Sequence, residues 1–189
     1  METNMFLQAR QHVVETIGRA EVQAQPFPHI YVEDVFPDDF YGEMLRHLPD
    51  DNAYQRLVET GRVTEGYSPE RLVFYARPED FEILPEVQKI FWQNVFGAMW
   101  DDPLIKCVVE KFRPAINARL ADPEEKMSGE FVIGSEMFLV RDLKGYLIGP
   151  HTDSPSRVIS AIFYLPEDDA SDHLGTSLYQ PVEEGFICL

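Results

Sequence analysis

The sequence predicts an α+β chain, and three observations carry that expectation. Apolar residues recur at helical spacing through most of the first two thirds, short apolar runs separated by turn residues take over after Ser128-Gly129, and no internal repeat or low-complexity segment interrupts that order. Helices followed by closely spaced strands point to a helical part, about 1–125, packed on an antiparallel sandwich or barrel drawn from about 28–36 and 130–189. At 189 residues and 44 % hydrophobic content, one domain spanning the whole chain can bury a real core.

Met5, Phe6, Ala9, Val13, Ile17 and Ala20 follow helical spacing and predict an amphipathic first helix that ends near Pro26 and Pro28. The run His29 to Phe36 reads as a strand. Pro37-Asp38-Asp39 then opens a helix through Leu48, with proline in the first turn and acids at its positive end. From Asn52 to Glu70, Gly61, Gly66, Ser68 and Pro69 punctuate a polar loop with short irregular elements. Pro78-Glu79-Asp80 starts a helix expected to reach Trp100, with Ile83, Val87, Ile90, Phe91, Val95 and Met99 on its apolar side, and Pro103 admits another toward Leu120. Phe91, Trp92, Phe96 and Trp100 resemble a ligand box, but at helical spacing a core face is the plainer account. Strands are expected at 131–133, 137–140, 146–148, 157–165 and 175–179, with a turn at 142–145.

Composition excludes several functions. With 33 acidic against 16 basic residues the formal charge is −17, so the surface repels phosphate, and nucleic acid and anionic membranes are not expected partners. Lys106, Lys111 and Arg113 lie among acids and read as a solvated helix face. No basic n-region follows Met1, and no apolar run approaches the roughly 20 residues that span a bilayer. Cys107 and Cys188 make no disulfide framework, which suggests buried thiols in a reduced, cytoplasmic setting. The chain holds no Gly-x-Ser-x-Gly elbow and neither cysteine has a motif-spaced base, so a hydrolase reading finds no support.

His151 and Asp153 stand two apart, and on an extended segment both side chains project from the same face. One imidazole nitrogen and one carboxylate oxygen can then reach a single ion; two histidines and one carboxylate on one face of Fe(II) leave positions open for a chelating cosubstrate and dioxygen. The pair alone is weak, because 5 His and 14 Asp in 189 residues produce a chance His-x-Asp roughly 0.4 times. Its context is more specific. Tyr146 to Pro155 surrounds the pair, Val158 to Asp168 follows as a strand ending in Phe163-Tyr164-Leu165-Pro166, and Leu174 to Tyr179 adds a Gly-containing strand.

That order, with the earlier Pro26 to Phe36 run, resembles the 2-oxoglutarate and Fe(II)-dependent dioxygenase superfamily, in particular its prolyl-4-hydroxylase-like branch. The resemblance covers the chain from about Pro26 onward and is most specific in the last third. It implies a double-stranded β-helix, or jelly roll, bearing N-terminal helices; Fe(II) held by His151 and Asp153; and 2-oxoglutarate as cosubstrate, its distal carboxylate bonded by Tyr164. A core tyrosine bonded to backbone accounts for Tyr164 equally well. The implied reaction hydroxylates a C–H bond of a small-molecule or peptidyl substrate while 2-oxoglutarate is converted to succinate.

Such a site also needs a second histidine and a basic residue further along. The residues after Asp153 suffice for about three strands at roughly 8 to 12 residues each, where a jelly roll uses about eight, so a truncated sequence with C-terminal strands missing and little activity of its own is expected. His173 lies in a polar turn and reads as a solvated loop histidine, while His12, His29 and His47 read as structural or exposed. Arg157 and Arg141 are candidates for an anionic substrate group, against the plainer account of surface arginines. Asp168, Asp169 and Asp172 lack the spacing of a Ca²⁺ loop. Two alternatives stay open: a cupin-like isomerase or epimerase with other ligands, and a non-catalytic jelly-roll binding domain in which His151 and Asp153 are surface residues.

Overall fold

The computed structural model describes residues 2–64, 66–99, 101–121, 134–154, 156–168, 170, 174–183 and 185–188. It is a mixed helical and antiparallel-sheet structure, as the sequence predicts. The elements run α1 (Glu2–Arg19), α2 (Asp38–Arg46), β1 (Gln55–Arg56), β2 (Arg71–Phe74), α3 (Pro78–Phe81), α4 (Glu86–Met99), α5 (Asp102–Leu120), β3 (Leu139–Asp142), β4 (Tyr179–Val182) and β5 (Gly185–Cys188), with single 3-10 turns at Asp51–Ala53 and Leu57–Thr60. Among the described residues no helix is long and apolar enough to cross a membrane.

The helical half forms where local spacing and capping agree. Phe6, Ala9, Val13 and Ile17 give α1 one buried stripe, which packs against α4 and α5. Lys111 of α5 donates to the carbonyls of Gly18 (3.1 Å) and Ala20 (2.6 Å), so it satisfies the open end of α1 rather than lying on a solvated face. Lys106 and Arg113 are exposed, as expected of a solvated helix face, and pair with Asp102 and Glu110. In α2, Asp38 and Asp39 occupy the first turn and Phe40 and Met44 are buried.

The single helix expected over 78–100 is instead two. Pro85 has no N–H to continue α3 and disfavours helical backbone at Leu84, so the chain turns there and α4 restarts, with Lys89 N donating to Pro85 O at 2.9 Å. The break resets the helical phase. Phe91, Trp92, Val95, Phe96, Ala98 and Met99 are buried, while Ile83, Val87 and Ile90 are 59 %, 66 % and 46 % exposed and do not belong to the core face. Phe91, Trp92 and Phe96 are core residues, and Trp100 lies outside the described residues.

Residues 28–36 do not form the expected strand. One isolated bridge joins Gln23 to His29, and Asp34 adopts a left-handed backbone (φ 50) that an extended strand does not accommodate. The strand that does form is β2, central in the order β1-β2-β3 and buried at Leu72, Val73 and Phe74. Arg71, Leu72, Val73 and Phe74 pair with Asp142, Arg141, Val140 and Leu139 of β3. β4 and β5 make a separate hairpin whose register runs from Tyr179↔Cys188 to Val182↔Gly185. The strands expected at 146–148 and 157–165 enter no ladder among the described residues, that expected at 175–179 contributes only Tyr179, the first residue of β4, and 131–133 lies outside them. The three-stranded sheet and the hairpin are the sheets described; a closed barrel is not among them.

A series of ring contacts ties these parts together. It passes from Tyr54 to Phe74 (6.2 Å), Phe81 (5.5 Å), Phe96 (6.0 Å), Trp92 (5.9 Å), Phe91 (5.6 Å), Phe40 (6.2 Å), Phe36 (6.0 Å) and finally Phe163 (5.4 Å). The last contact docks the segment after the His-x-Asp pair onto the helical core. Tyr41 secures it by donating to Pro166 O at 2.6 Å, and Leu165 packs on the same core.

Candidate metal site

The His-x-Asp pair is strung between two anchors. Upstream, Leu143 N donates to Glu70 O (2.8 Å) and Tyr146 N to Leu143 O (3.0 Å), turning the chain out of β3 through Gly145 at φ 96. The Tyr146 hydroxyl meets that of Tyr67 at 2.9 Å, and its ring lies 4.1 Å from the Arg71 guanidinium. Arg71 in turn forks onto Asp142, its cross-strand neighbour, at 2.6 and 2.7 Å. Burial, reinforced by the Tyr67 hydroxyl, holds the Tyr146 phenol well above its usual ionisation range. Downstream, Arg157 N donates to Ser154 O (2.8 Å) in a turn, and Arg157 O accepts from Arg119 of α5 at 2.7 Å.

Between these anchors the described residues are exposed and form neither helix nor ladder. His151 Nδ1 lies 2.9 Å from Gly149 O, and because a carbonyl only accepts, Nδ1 is the donor, which leaves Nε2 as the nitrogen a metal would use. Ligation through Nε2 is compatible with that arrangement. His29 makes the same local bond, Nδ1 to Phe27 O at 2.8 Å, but has Tyr31 two residues on. The bond gains meaning only beside Asp153. There, Oδ1 accepts from Arg157 Nη1 at 3.2 Å and Oδ2 accepts a short bond from the Ser160 hydroxyl.

Tyr164 is half exposed, and its hydroxyl is bonded to the Thr176 hydroxyl. It is therefore neither buried nor bonded to backbone, and it joins the 157–168 segment to the Gly-containing run that follows. Ile162 and Tyr164 face outward while Phe163 and Leu165 turn toward the core, an alternation of period two with no pairing strand among the described residues. Arg141 pairs with Asp51 at 2.7 Å and is engaged away from the pair. His12 bonds Asp34 O (3.2 Å), and His47 stacks on Phe91 (4.6 Å) near Glu43 (3.4 Å), both structural roles. Cys107 donates to Val14 O at 3.5 Å and is half-buried; Cys188 is exposed, against expectation. Asp168 accepts from Ala170 N (2.9 Å) in a turn, whereas Asp169, Asp172 and His173 lie outside the described residues.

Sequence reasoning read Arg157 as a candidate for an anionic substrate group or a surface arginine, not as a partner of Asp153, and gave Ser160 no part. Arg157 carried a signal, since a turn at Ser154 brings a residue four positions on back over Asp153; Ser160 carried none. Sequence reasoning also missed a depression of about 370 Å³ lined by Gln55, Glu59, Thr60, Arg62, Tyr75, Arg77 and Glu136. Both of its arginines are paired. Arg62 forks onto Glu136 at 2.5 and 2.7 Å and holds that carboxyl below its usual range, and Arg77 does the same to Asp80 at 2.8 and 2.9 Å.

Among the described residues no three His, Cys, Asp or Glu side chains gather as a metal-holding group. His151 and Asp153 offer two ligands of the types an Fe(II) site takes, with Nδ1 of the imidazole occupied by Gly149 O. No family model, curated protein or solved structure matches the chain.

Proposed function

We propose that this protein is an Fe(II)- and 2-oxoglutarate-dependent oxygenase in which His151 and Asp153 are metal ligands and Tyr164 bonds the cosubstrate. The observation that supports it best is the pairing of a Nδ1-protonated imidazole at His151 with a carboxylate two residues on. In this reading the alternation at 162–165 belongs to a strand of a jelly roll, its outer face carrying Tyr164. Among the described residues no third protein ligand gathers with His151 and Asp153.

When bound, Fe(II) and 2-oxoglutarate supply the oxidising chemistry. The chain's own residues bind and orient. His151 offers Nε2 because Gly149 O holds the proton on Nδ1; Asp153 offers a carboxylate fixed from both sides; Tyr164 offers a phenolic donor to a carboxylate. The substrate class is a small molecule or a peptidyl side chain, with polyanions disfavoured by the charge of −17.

The test must be site-resolved, because 33 acidic residues gather divalent cations over the whole surface. Mn(II), a stable stand-in for Fe(II), is titrated in the presence of excess Ca(II), which occupies oxygen-only sites but binds imidazole poorly. The expected result is paramagnetic broadening of the His151 ring and Asp153 signals before any others, lost in His151→Ala and Asp153→Ala. Addition of 2-oxoglutarate should strengthen it. Broadening spread evenly over surface carboxylates, with no preference for His151, would overturn the reading.

A further inference from the structure

Both oxygens of the Asp153 carboxylate are engaged, by two groups of different charge. Ser160 is a neutral donor to Oδ2. It restricts rotation of the carboxylate and leaves the negative charge in place. Arg157 is a cation 3.2 Å from Oδ1 and partly neutralises the charge a metal would use. A divalent ion seated on Oδ1 and a guanidinium on the same oxygen repel each other, so one must give way. Ser160 and such an ion carry no such conflict.

We propose that Ser160 positions Asp153 for a metal while Arg157 competes with that metal for the same carboxylate oxygen. This rests on the reading of His151 and Asp153 as ligands. The backbone makes the competition local. The Ser154 to Arg157 turn and the Arg119 bond to Arg157 O use main-chain atoms at residue 157, so the side chain can leave Asp153 without releasing the loop from α5. The Arg157 and Asp153 side chains are 50 % and 38 % exposed, so water can take the guanidinium once it is displaced. The energetic scale is that of a surface ion pair, which limits the competition to a few-fold in affinity. A hydrogen bond that orients a metal ligand has a larger effect, about tenfold at the low end.

The experiment is Mn(II) titration of the full chain, followed at the His151 ring signal with excess Ca(II), for the wild type and for Arg157→Gln, Arg157→Lys and Ser160→Ala. Arg157→Gln should bind about threefold more tightly than the wild type. Arg157→Lys, which keeps the charge, should stay within about twofold. Ser160→Ala should bind about tenfold more weakly. Opposite signs at residues 157 and 160 are the signature, because simple loosening of the loop moves both variants toward weaker binding. Backbone amide spectra check that each variant keeps its fold. A weaker or unchanged Arg157→Gln, in a protein that still prefers His151, overturns the competition and leaves the metal reading standing. Loss of the His151 preference in the wild type removes both.

Discussion

Phe163 is the ring through which residues 157–168 reach the helical core, and its truncation separates local docking from global stability. Its ring centroid lies 5.4 Å from that of Phe36, tilted by 46°. Full truncation of a buried Phe costs about 3–5 kcal/mol. Phe163 is only half-buried, so about 2 kcal/mol is expected, including roughly 0.5–1.5 kcal/mol from the ring pair itself. Among the described residues the segment it anchors enters no ladder, and it otherwise holds to the helices through Leu165, the Tyr41 bond to Pro166 and, at its start, the Arg119 bond to Arg157 O. The loss should therefore appear as local opening. Hydrogen-exchange protection across 158–166 should fall about 30-fold in Phe163→Ala, with a midpoint of thermal unfolding lowered by less than about 2 °C. Phe40→Ala is the contrast. Phe40 is 1 % exposed and touches the rings of Phe6, Phe36 and Phe91, so its truncation should cost the full 3–5 kcal/mol and lower the midpoint by about 6–20 °C. Equal midpoint losses in the two variants would refute the separation, as would unchanged exchange in Phe163→Ala.

Trp92→Phe removes the indole N–H that reaches His47 O at 2.5 Å from a side chain 1 % exposed, and leaves that carbonyl without its donor. A loss of about 2 kcal/mol is expected, read as a lower urea midpoint at constant slope. Tyr54 gives a pH dependence. Burial pushes its phenol from 10.0 up to about 12, the nearby Arg141 charge opposing. The folded chain keeps the proton where the unfolded chain loses it, so this stability is complete below pH 10 and falls as pH rises toward about 12, by on the order of 2 kcal/mol. Tyr54→Phe should flatten that slope in chemical unfolding curves.

What was legible in the sequence follows from where each element's bonds close. Helices close their bonds within a few residues, so Phe6, Ala9, Val13 and Ile17 were enough to place α1, and Asp38-Asp39 enough to start α2. The same rule failed at Leu84-Pro85, where apolar periodicity read across a backbone break put Ile83, Val87 and Ile90 on the wrong face. Strands close their bonds elsewhere in the chain. Apolar runs at 28–36 and 157–165 therefore announced extended texture without announcing partners, while Arg71 to Phe74, a short run after a polar loop, became the central strand because β3 was available to it. Lys111 was misread because the group it serves, the end of α1, lies more than ninety residues away. At the candidate site, sequence spacing supplied His151 and Asp153 and named Arg157 for a different part, and the fold supplied the contacts of Arg157 and Ser160 with Asp153.

The same distinction between local and distant closure divides the site itself. His151 and Asp153 are separated by one residue, so bringing them to one ion closes a very small loop and costs little chain entropy, whatever the state of the surrounding segment. The Gly149 contact that occupies His151 Nδ1 is equally local. Tyr164 is different. It stands beside Phe163, and its hydroxyl meets Thr176 only if the segment is held in place. Undocking by Phe163→Ala should therefore spare the preference of Mn(II) for His151 but abolish the strengthening by 2-oxoglutarate, in the same site-resolved titration. If both effects vanish together, metal binding depends on the tertiary order of the segment, and the local chelate is not the anchor of the site. If both survive, Tyr164 has no part in holding the cosubstrate. Survival of the first with loss of the second would place the metal on the chain's shortest-range contacts and the cosubstrate on its longest.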